Sequence, residues 1–257
     1  MFELFLAEFR RSWIQFIRYP VEVIGGIFIT TSIFYGLFLS ASYIAGPTLQ
    51  FGDRLDAIVV GYVLWNLVLF IMNDIALGLQ YESQTGTLEQ IFLSPFGAPI
   101  VFLMRALASL VLRLGLTFSV LLIIMVLTGS RLVFPPAIIL PLITVLLGAY
   151  GLAFAMGSLA LLLKRVQQLL GIFQFALLFL MAVPTETWVG SLRVISWFLP
   201  MTSGAGLLRG LMARGEALNL LAFALALANG MAYFVLGLLI FQVCEREAKR
   251  RGMLSGY

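Results

Sequence analysis

Six long apolar runs, separated by short polar breaks, dominate this sequence of 257 residues. A helix needs roughly 20 apolar residues to cross the hydrocarbon core of a bilayer. By that measure the predicted spans are Val21–Ala45, Ala57–Leu79, Ile100–Leu127, Ala137–Leu163, Val166–Val183 and Ala217–Val243. The fifth run is the shortest, and only Lys164 and Arg165 separate it from the fourth. We therefore predict an all-α polytopic membrane protein whose residues 1–257 form a single transmembrane domain.

Composition supports the same class and excludes several functions. The chain is 61% hydrophobic and 11% charged, whereas soluble domains are about 45–50% apolar and about 25% charged. The sequence has no histidine and one cysteine, Cys244. Catalysis by histidine and an intrachain disulfide are therefore excluded. We predict no catalytic residue, no metal site and no nucleic-acid partner, and we expect that the chain is not an enzyme.

The distribution of basic residues predicts the orientation, because cytoplasmic loops carry an excess of Lys and Arg. With the termini inside, the cytoplasmic set is Arg10, Arg11, Arg18, Arg105, Lys164, Arg165, Arg246, Lys249, Arg250 and Arg251. The opposite set is Arg54, Arg131, Arg193, Arg209 and Arg214. The first set is twice as large, so we expect both termini to be cytoplasmic.

Residues 1–20 have the pattern of an amphipathic helix that lies in the membrane interface. Phe5, Phe9 and Trp13 fall on one helical face, and Glu8 and Arg11 fall on the other. Such a helix places its apolar face among the lipid tails and its polar face in water. It is either a simple anchor for the first span or also a contact for a cytoplasmic partner.

A polar island at residues 81–99 interrupts the apolar pattern between the second and third spans. Thr87 and Gln90 have the spacing of a capping box, Gly86 allows a bend before them, and Pro95 ends the helix that they begin. This helix would cover residues 88–93, with Leu88, Ile91 and Phe92 on one face and Glu89 beside them. The island is either a handle for a soluble motor or an ordinary loop helix on the lipid headgroups.

Two segments together resemble a known family. The string GTLEQIFLSP at residues 86–95 is similar to the cytoplasmic loop in permease subunits of type 2 ABC exporters, of the branch that exports drugs, lipids and polysaccharides. Trp188–Gly215, WVGSLRVISWFLPMTSGAGLLRGLMARG, resembles the segment that precedes the last helix in the same family. The spacing of the two segments and the six spans agree with this family.

The resemblance implies the function and its site. The loop would dock into a separate nucleotide-binding ATPase, through Gly86, Thr87, Leu88, Glu89, Gln90, Ile91, Phe92 and Pro95. Residues 185–216 would form re-entrant helices on the outer side, with Glu186, Trp188, Arg193, Pro200 and Arg209 as the notable residues. A second copy or a sister permease would complete the pathway. The expected substrate is hydrophobic or amphipathic, and the expected location is the bacterial inner membrane. Family loops often carry several charges before Gly-Thr, but this chain has only Glu82 there, which weakens any inference of a salt bridge at that point.

The energy source is expected to lie outside this chain. A P-loop needs Gly-Lys followed by Ser or Thr. The two lysines, Lys164 and Lys249, are each followed by arginine, and neither follows glycine. We therefore expect no cofactor in this chain, and ATP and Mg²⁺ in the partner subunit.

Three ionisable residues lie within predicted spans, where charges are costly and are candidates for function. Asp74 and Arg105 have similar depths in adjacent spans, which predicts an ion pair at the base of the loop. Alternatively, each side chain extends separately to the interface. Arg113 lies deeper and either faces the transport pathway or pairs with a polar group.

Other readings remain open on the sequence alone. An ion-coupled carrier would use Asp74 as its intramembrane acid, and a membrane assembly factor would need no ATPase. Small residues that suit close helix contacts, including those between two copies, are Gly25, Gly26, Gly36, Gly148, Gly151 and Gly157. Glycine is also simply common in membrane helices.

Overall fold

A computed structural model describes residues 2–45, 52–87, 90, 91, 93, 95–163, 167–188 and 190–250. Within these residues the regular structure is entirely helical. The helices are α1 (Phe2–Arg18), α2 (Pro20–Ala45), α3 (Gly52–Thr85), α4 (Ala98–Thr128), α5 (Ile139–Leu163), α6 (Gln167–Ala182), α7 (Ser191–Phe198), α8 (Thr202–Ala213) and α9 (Leu220–Arg250). Short 3₁₀ turns at Pro136–Ile138 and Thr185–Thr187 precede α5 and α7.

Five of these helices are long and apolar enough to cross a membrane, namely α2, α3, α4, α5 and α9. The fifth predicted span corresponds to α6, which is apolar but covers 16 residues, or about 24 Å at 1.5 Å per residue. The prediction of a polytopic all-α membrane protein is therefore confirmed. The predicted boundaries were too short for α3, which continues to Thr85, and for α9, which continues to Arg250.

Helix α3 is the centre of the bundle. Of its most apolar stretch, 56% of the residues are buried, compared with 11% for α2. Helix α3 contacts α4, α5, α6 and α8. The Trp65 indole donates a hydrogen bond to the carbonyl of Gln174 on α6, at 3.0 Å. The Gln174 amide donates to Asn73 of α3, at 3.1 Å. These bonds fix α6 against α3.

Glycines allow α5 and α9 to pack with their backbones in contact. A Cβ atom on Gly151 would overlap the backbone of Tyr233, and one on Gly237 would overlap the carbonyl of Gly151. Gly148 lies against Met201, and Gly157 lies against Leu79. The glycines of α5 that were singled out for close helix contacts therefore make such contacts within this chain.

Helix α2 lies at the edge of the bundle. It packs on α4, and it touches α3 through Tyr62, whose hydroxyl donates to the carbonyl of Thr30 at 2.8 Å. The rings of Phe34 and Tyr62 are 4.8 Å apart. An added Cβ at Gly25, Gly26 or Gly36 would meet no atom within 4 Å.

The segment before the last span forms the expected pair of short helices. The end of α7 is fastened to α9, because Asn229 of α9 donates to the carbonyl of Trp197 at 2.8 Å and Tyr233 donates to that of Phe198 at 2.7 Å. Met201 in the turn between α7 and α8 has a left-handed backbone with φ 62°, and it packs on Gly148 of α5. The two short helices thus pack on α9, and α8 also contacts α3 and α5.

The contact between α5 and α9 predicts that Gly237 tolerates no side chain. We expect Gly237→Val to prevent folding or to cost more than about 3 kcal/mol of stability, because overpacking against a backbone cannot be relieved by rotamer changes. Gly36→Val is the matched control, since its site is open. Monodispersity and melting temperature in detergent measure both, and equal behaviour of the two variants would contradict the packing.

Candidate functional site

Helix α3 ends in a turn that fastens the following loop to Glu82. Gly86 adopts a left-handed backbone with φ 73°, which glycine adopts without steric cost. The Thr87 amide then donates to the carbonyl of Glu82 at 3.1 Å, as in a Schellman motif. The Thr87 hydroxyl donates to the carboxylate of the same residue. Backbone and side chain of Glu82 therefore both hold Thr87.

The predicted capping box between Thr87 and Gln90 is wrong. The Gln90 amide donates to the carbonyl of Thr87 at 3.1 Å, and the Thr87 hydroxyl donates to Glu82 instead of accepting from Gln90. Gln90 and Ile91 are helical as predicted. The predicted positions Leu88, Glu89 and Phe92 lie outside the described residues.

The described part of the loop has an inner and an outer side. Ile91 is half-buried and packs on the apolar core, whereas Leu93 is 84% exposed. Pro95 and Gln90 are also exposed. The loop closes at Gly97, whose φ of 75° precedes the first turn of α4. An exposed leucine on a loop that is fixed at its base is suited to contact another protein.

One arginine connects three helices at this end of the bundle. Arg105 of α4 forms an ion pair at 2.8 Å with Glu82, on the last turn of α3. Its Nε lies 3.4 Å from the carboxylate of Glu8 on α1. The side chains of Arg105, Glu82 and Glu8 are 22%, 10% and 12% exposed. We call Arg105, Glu82, Glu8 and Thr87 the Arg105 cluster, and it joins α1, α3 and α4 to the loop.

The predicted ion pair between Asp74 and Arg105 is wrong. Asp74 accepts a hydrogen bond from Ser109 of α4, and Arg105 pairs with Glu82 and Glu8. The helical turn explains the difference. Eight residues separate Asp74 from Glu82, so at 3.6 residues per turn Glu82 lies more than two turns further along α3 and on a rotated face.

Helix α1 is amphipathic as predicted, and Glu8 sets its rotation. Leu6, Ile14 and Ile17 are 47%, 51% and 60% exposed, which leaves them free to contact lipid. Glu8 faces inward to Arg105. The helix therefore has one face for the bilayer and another held by the bundle.

A polar groove opens between α1 and α2 on one side and α3 and α4 on the other. The cavity has a volume of about 760 Å³. Its polar lining comprises Glu8, Arg11, Ser12, Gln15, Glu22, Thr30, Asn66, Asn73, Asp74, Glu82, Arg105, Ser109, Arg113 and Thr117. The structure thus places all three predicted intramembrane residues, Asp74, Arg105 and Arg113, along one groove.

Arg113 differs from the other two because it makes no ion pair with a described residue. Its guanidinium lies 4.6 Å from the centre of the Phe70 ring, a favourable but weak contact. An arginine at the centre of a membrane helix costs about 2.5–3.5 kcal/mol on insertion scales. Such a residue needs a functional explanation.

A second charged cluster orders the segment at the opposite end of the bundle. Arg209 of α8 is 1% exposed and donates to both carboxylate oxygens of Glu186, at 2.9 and 2.6 Å. It also donates to the carbonyl of Met181 at 2.8 Å. Arg214 reaches the same carboxylate at 3.4 Å. Glu186 and Arg209, two of the predicted residues of this segment, are therefore direct partners.

The electrostatics of this cluster favour an ionised Glu186. Burial raises the pKa of its carboxyl, but the hydrogen bonds and charge of Arg209, together with the charge of Arg214, outweigh burial, so the pKa lies below its ordinary value. The hydrogen bond and charge of Glu216 raise the pKa of Arg214.

The other predicted residues of this segment lie outside the charged cluster. The Trp188 amide donates to the carbonyl of Thr185 at the end of the 3₁₀ turn, and Pro200 lies in the turn before Met201. The side chain of Arg193 is outside the described set.

The sequence matches the family described as ABC-2 type transporter over residues 3–213. This range begins in α1, contains the Arg105 cluster and ends with α8. The chain belongs to the ABC-2 type transporter family. It is therefore a permease subunit, an integral membrane component of a transporter, as the two sequence motifs indicated. No curated protein matches the sequence.

Sequence reasoning missed three partners at these sites. Glu82 was noted only as a lone charge before Gly-Thr, Glu8 only as part of a polar helix face, and Ser109 not at all. The useful signal was the sequence of the loop itself. A carboxylate five residues before Thr87 is placed by the Schellman turn where the Thr87 hydroxyl can reach it.

The Arg105 cluster predicts strong coupling between Arg105 and Glu82. We expect Arg105→Gln and Glu82→Gln each to lower stability by about 2–4 kcal/mol, because each change breaks the 2.8 Å ion pair between two mostly buried charges. In Glu82→Gln, Arg105 keeps its longer contact of 3.4 Å with Glu8. The double variant is expected to lose little more than either single variant. Melting temperatures of the three proteins test this, and additive losses would contradict the pairing. Arg11→Gln is the control, because Arg11 is half exposed and lies 3.8 Å from Glu8.

The second cluster predicts that the stability of the protein falls at low pH as Glu186 becomes protonated. Because its pKa is lowered in the folded protein, its contribution is present above the unfolded value of about 4.3 and is lost as the pH falls through the lowered value. We expect Glu186→Gln to lower stability at pH 7 by about 3–5 kcal/mol, since Arg209 is then buried without a counter-ion.

The same variant should lose less stability than wild type between pH 7 and about pH 3, because the contribution of Glu186 is lost below the unfolded value of about 4.3. Glu216→Gln is the control, because the Glu216 side chain is 57% exposed. Unfolding followed at both pH values measures these effects. An identical acid response of wild type and Glu186→Gln would contradict the role of Glu186.

Proposed function

We propose that this chain is the transmembrane subunit of an ATP-driven exporter that moves a hydrophobic or amphipathic molecule out of the cytoplasm. The molecule class is a drug-like compound, a lipid or a lipid-linked glycan. A separate ATPase subunit supplies the energy. Membership of the ABC-2 type transporter family supports this proposal, because the family's permeases work with an ATPase partner.

The observation that carries the proposal is the anchored loop between α3 and α4. The loop presents Leu93 with 84% exposure, and its base is held by the hydrogen bonds of Thr87 to Glu82. Glu82 is paired with Arg105. A push on the loop is therefore transmitted to α3 and α4 together, and through Glu8 to α1. This is the connection that a soluble ATPase needs to move membrane helices.

The partners follow from this role. ATP and Mg²⁺ bind to the ATPase subunit, and this chain contributes the docking loop, in which Glu89 and its neighbours take part. A second copy of the chain, or a sister permease, completes the transport pathway within the lipid. The termini and the loop lie in the cytoplasm, and the host membrane is the inner membrane of a bacterium.

One observation favours a second candidate function. Asp74 lines the polar groove and accepts a hydrogen bond from Ser109. A carboxyl group in a membrane groove is the residue that an ion-coupled carrier would titrate. In that case Asp74→Asn would abolish transport that requires no ATPase, whereas an exporter would lose transport when its ATPase is absent.

The loop predicts the result of a purification from the native host. We expect an ATPase with a P-loop to copurify with the tagged wild-type chain in mild detergent. Its yield should fall by about tenfold with Leu93→Arg, since an apolar side chain that the ATPase would cover becomes a charge. Glu89→Arg should reduce the yield in the same way. Mass spectrometry identifies and quantifies the partner.

The matched control is Val133→Arg. Val133 is 55% exposed in the loop that follows α4, at the opposite end of the bundle. It should keep the ATPase. Loss of the ATPase with Val133→Arg alone would show that the ATPase contacts the opposite end of the bundle. If no ATPase copurifies with the folded wild-type chain, the proposal of an ATP-driven exporter is wrong.

A further inference from the structure

The unexplained feature of this permease is a single positive charge halfway along a membrane helix. Arg113 is the central residue of α4, which runs over Ala98–Thr128. Arg105, Arg209 and Arg214 all have carboxylate partners. Arg113 has none within 4 Å among the described residues, and it rests on the Phe70 ring. A guanidinium in this position retains hydrogen-bond donors that no described group accepts.

The nearest acidic residue on the adjacent helix does not neutralise Arg113 by contact. Asp74 accepts from Ser109, which lies one helical turn before Arg113 on α4. The other carboxylates that line the groove are Glu8, Glu22 and Glu82. Glu8 and Glu82 are engaged by Arg105, and Glu22 is in the first turn of α2. The deep part of the groove therefore contains one acid that is hydrogen-bonded to a serine, and one arginine without a counter-ion within 4 Å among the described residues.

A second, independent observation points into the same space. Thr117 lies one turn beyond Arg113 on α4 and is 9% exposed. Its hydroxyl has no hydrogen-bond partner in the described part of the structure, and the residue lines the groove. A buried hydroxyl without a partner is costly. Ser109, Arg113 and Thr117 thus form a row at four-residue spacing that faces the groove, with Asn66 of α3 opposite.

The remaining walls of the groove are apolar. Ile27 of α2, Leu77 of α3, and Leu112 and Leu116 of α4 line it. On α2, the neighbouring Ile24 and Phe28 are 66% and 71% exposed, so the groove borders a surface that lipid tails can reach. A volume of about 760 Å³ is within the range of ligand pockets. The space suits a polar head with an alkyl tail.

We propose that the groove between α1–α2 and α3–α4 binds an anionic amphiphile, with Arg113 as the anchor of its phosphate or carboxylate head and Thr117 as a second donor. The planar guanidinium matches both head groups through two parallel hydrogen bonds. The tail lies along the apolar walls towards α2. This inference deepens the proposed function, and it depends on that function only for the identification of the bound molecule as exported cargo.

Binding to the purified chain tests the proposal without any ATPase. The probe is a short-chain fluorescent phosphatidic acid in nonionic micelles, and the matched probe is the diacylglycerol with the same tails. We expect fluorescence anisotropy to show saturable binding of the first and little binding of the second. Equal binding of both probes would overturn the anionic head group. Full displacement by inorganic phosphate at similar concentration would overturn the amphiphile.

Variants assign the site. Arg113→Gln should weaken binding of the phosphatidic acid probe by about tenfold, Arg113→Lys should weaken it less, and Thr117→Val should weaken it a few-fold. Gly26→Leu should also weaken binding, because Gly26 lines the groove and an added side chain meets open space there. Gly25→Leu is the control, since its site is equally open but does not line the groove. Unchanged affinity in Arg113→Gln and Gly26→Leu would refute the site.

Stability separates a ligand anchor from a structural residue. Removal of an arginine without a counter-ion should leave the melting temperature of Arg113→Gln unchanged or raise it. In protein stripped of bound lipid, a fall of several degrees would show that the protein itself uses the charge, and it would overturn the proposal; without that step, loss of a bound lipid would also lower the melting temperature. Gly26→Leu tests binding with Arg113 in place, so its result does not depend on how well Arg113→Gln folds.

The source of the ligand is read from the protein as purified. Phospholipid that remains with wild type and is lost from Arg113→Gln identifies a resident lipid in the site. A chain that is free of phospholipid and takes up the added probe identifies a site for cargo. Both results support the groove, and neither depends on whether an ATPase copurifies, so this proposal and the exporter can fail separately.

Discussion

Pairing of charges in a medium without water governs this structure, because an unpaired charge in a bilayer has no solvent to stabilise it. Arg209 meets this condition with Glu186 and two backbone carbonyls, and Arg105 meets it with Glu82 and Glu8. The first arrangement fixes the short helices before the last span. The second joins the loop to the helices. Arg113 does not meet the condition within the described chain, which is why it indicates a ligand.

The core helices α3, α5 and α9 are held together by different contacts from those of the peripheral helices α1 and α2. The glycine contacts of α5 with α9 and the burial of α3 make a core in which backbones and side chains interlock, and such cores move as units. Helices α1 and α2 both pack on α4; Glu8 adds an ion pair to α1, and Tyr62 connects α2 to α3. A force on the loop therefore acts on a well-buried core on one side and on the more exposed helix α2 on the other.

The sequence predicted what depends on length and periodicity, and it failed where rotation about a helix axis decides. Apolar runs located the spans, and the pattern of residues 1–20 located α1. Depth alone paired Asp74 with Arg105, but depth does not specify which helix face a residue occupies, and α1 contributes Glu8 from far away in sequence. Thr87 and Gln90 fit a capping box by spacing, yet the Schellman turn at Gly86 directs the Thr87 hydroxyl back to Glu82. The groove could not be predicted, since it needs four helices in place.

The contact of Tyr62 with α2 has a mechanical consequence. Tyr62 holds α2 at Thr30 and Phe34, ten or more residues after the helix begins at Pro20, so this point can act as a pivot. Ten residues of helix measure about 15 Å, and a tilt of about 10° at the pivot moves the start of α2 by about 3 Å. The displacement is largest at the N-terminal end of α2, where α2 follows α1. Glu8 of α1 connects this region to Arg105. A small displacement at that connection would widen or narrow the groove between α1–α2 and α3–α4, while the core of α3, α5 and α9 stays in place.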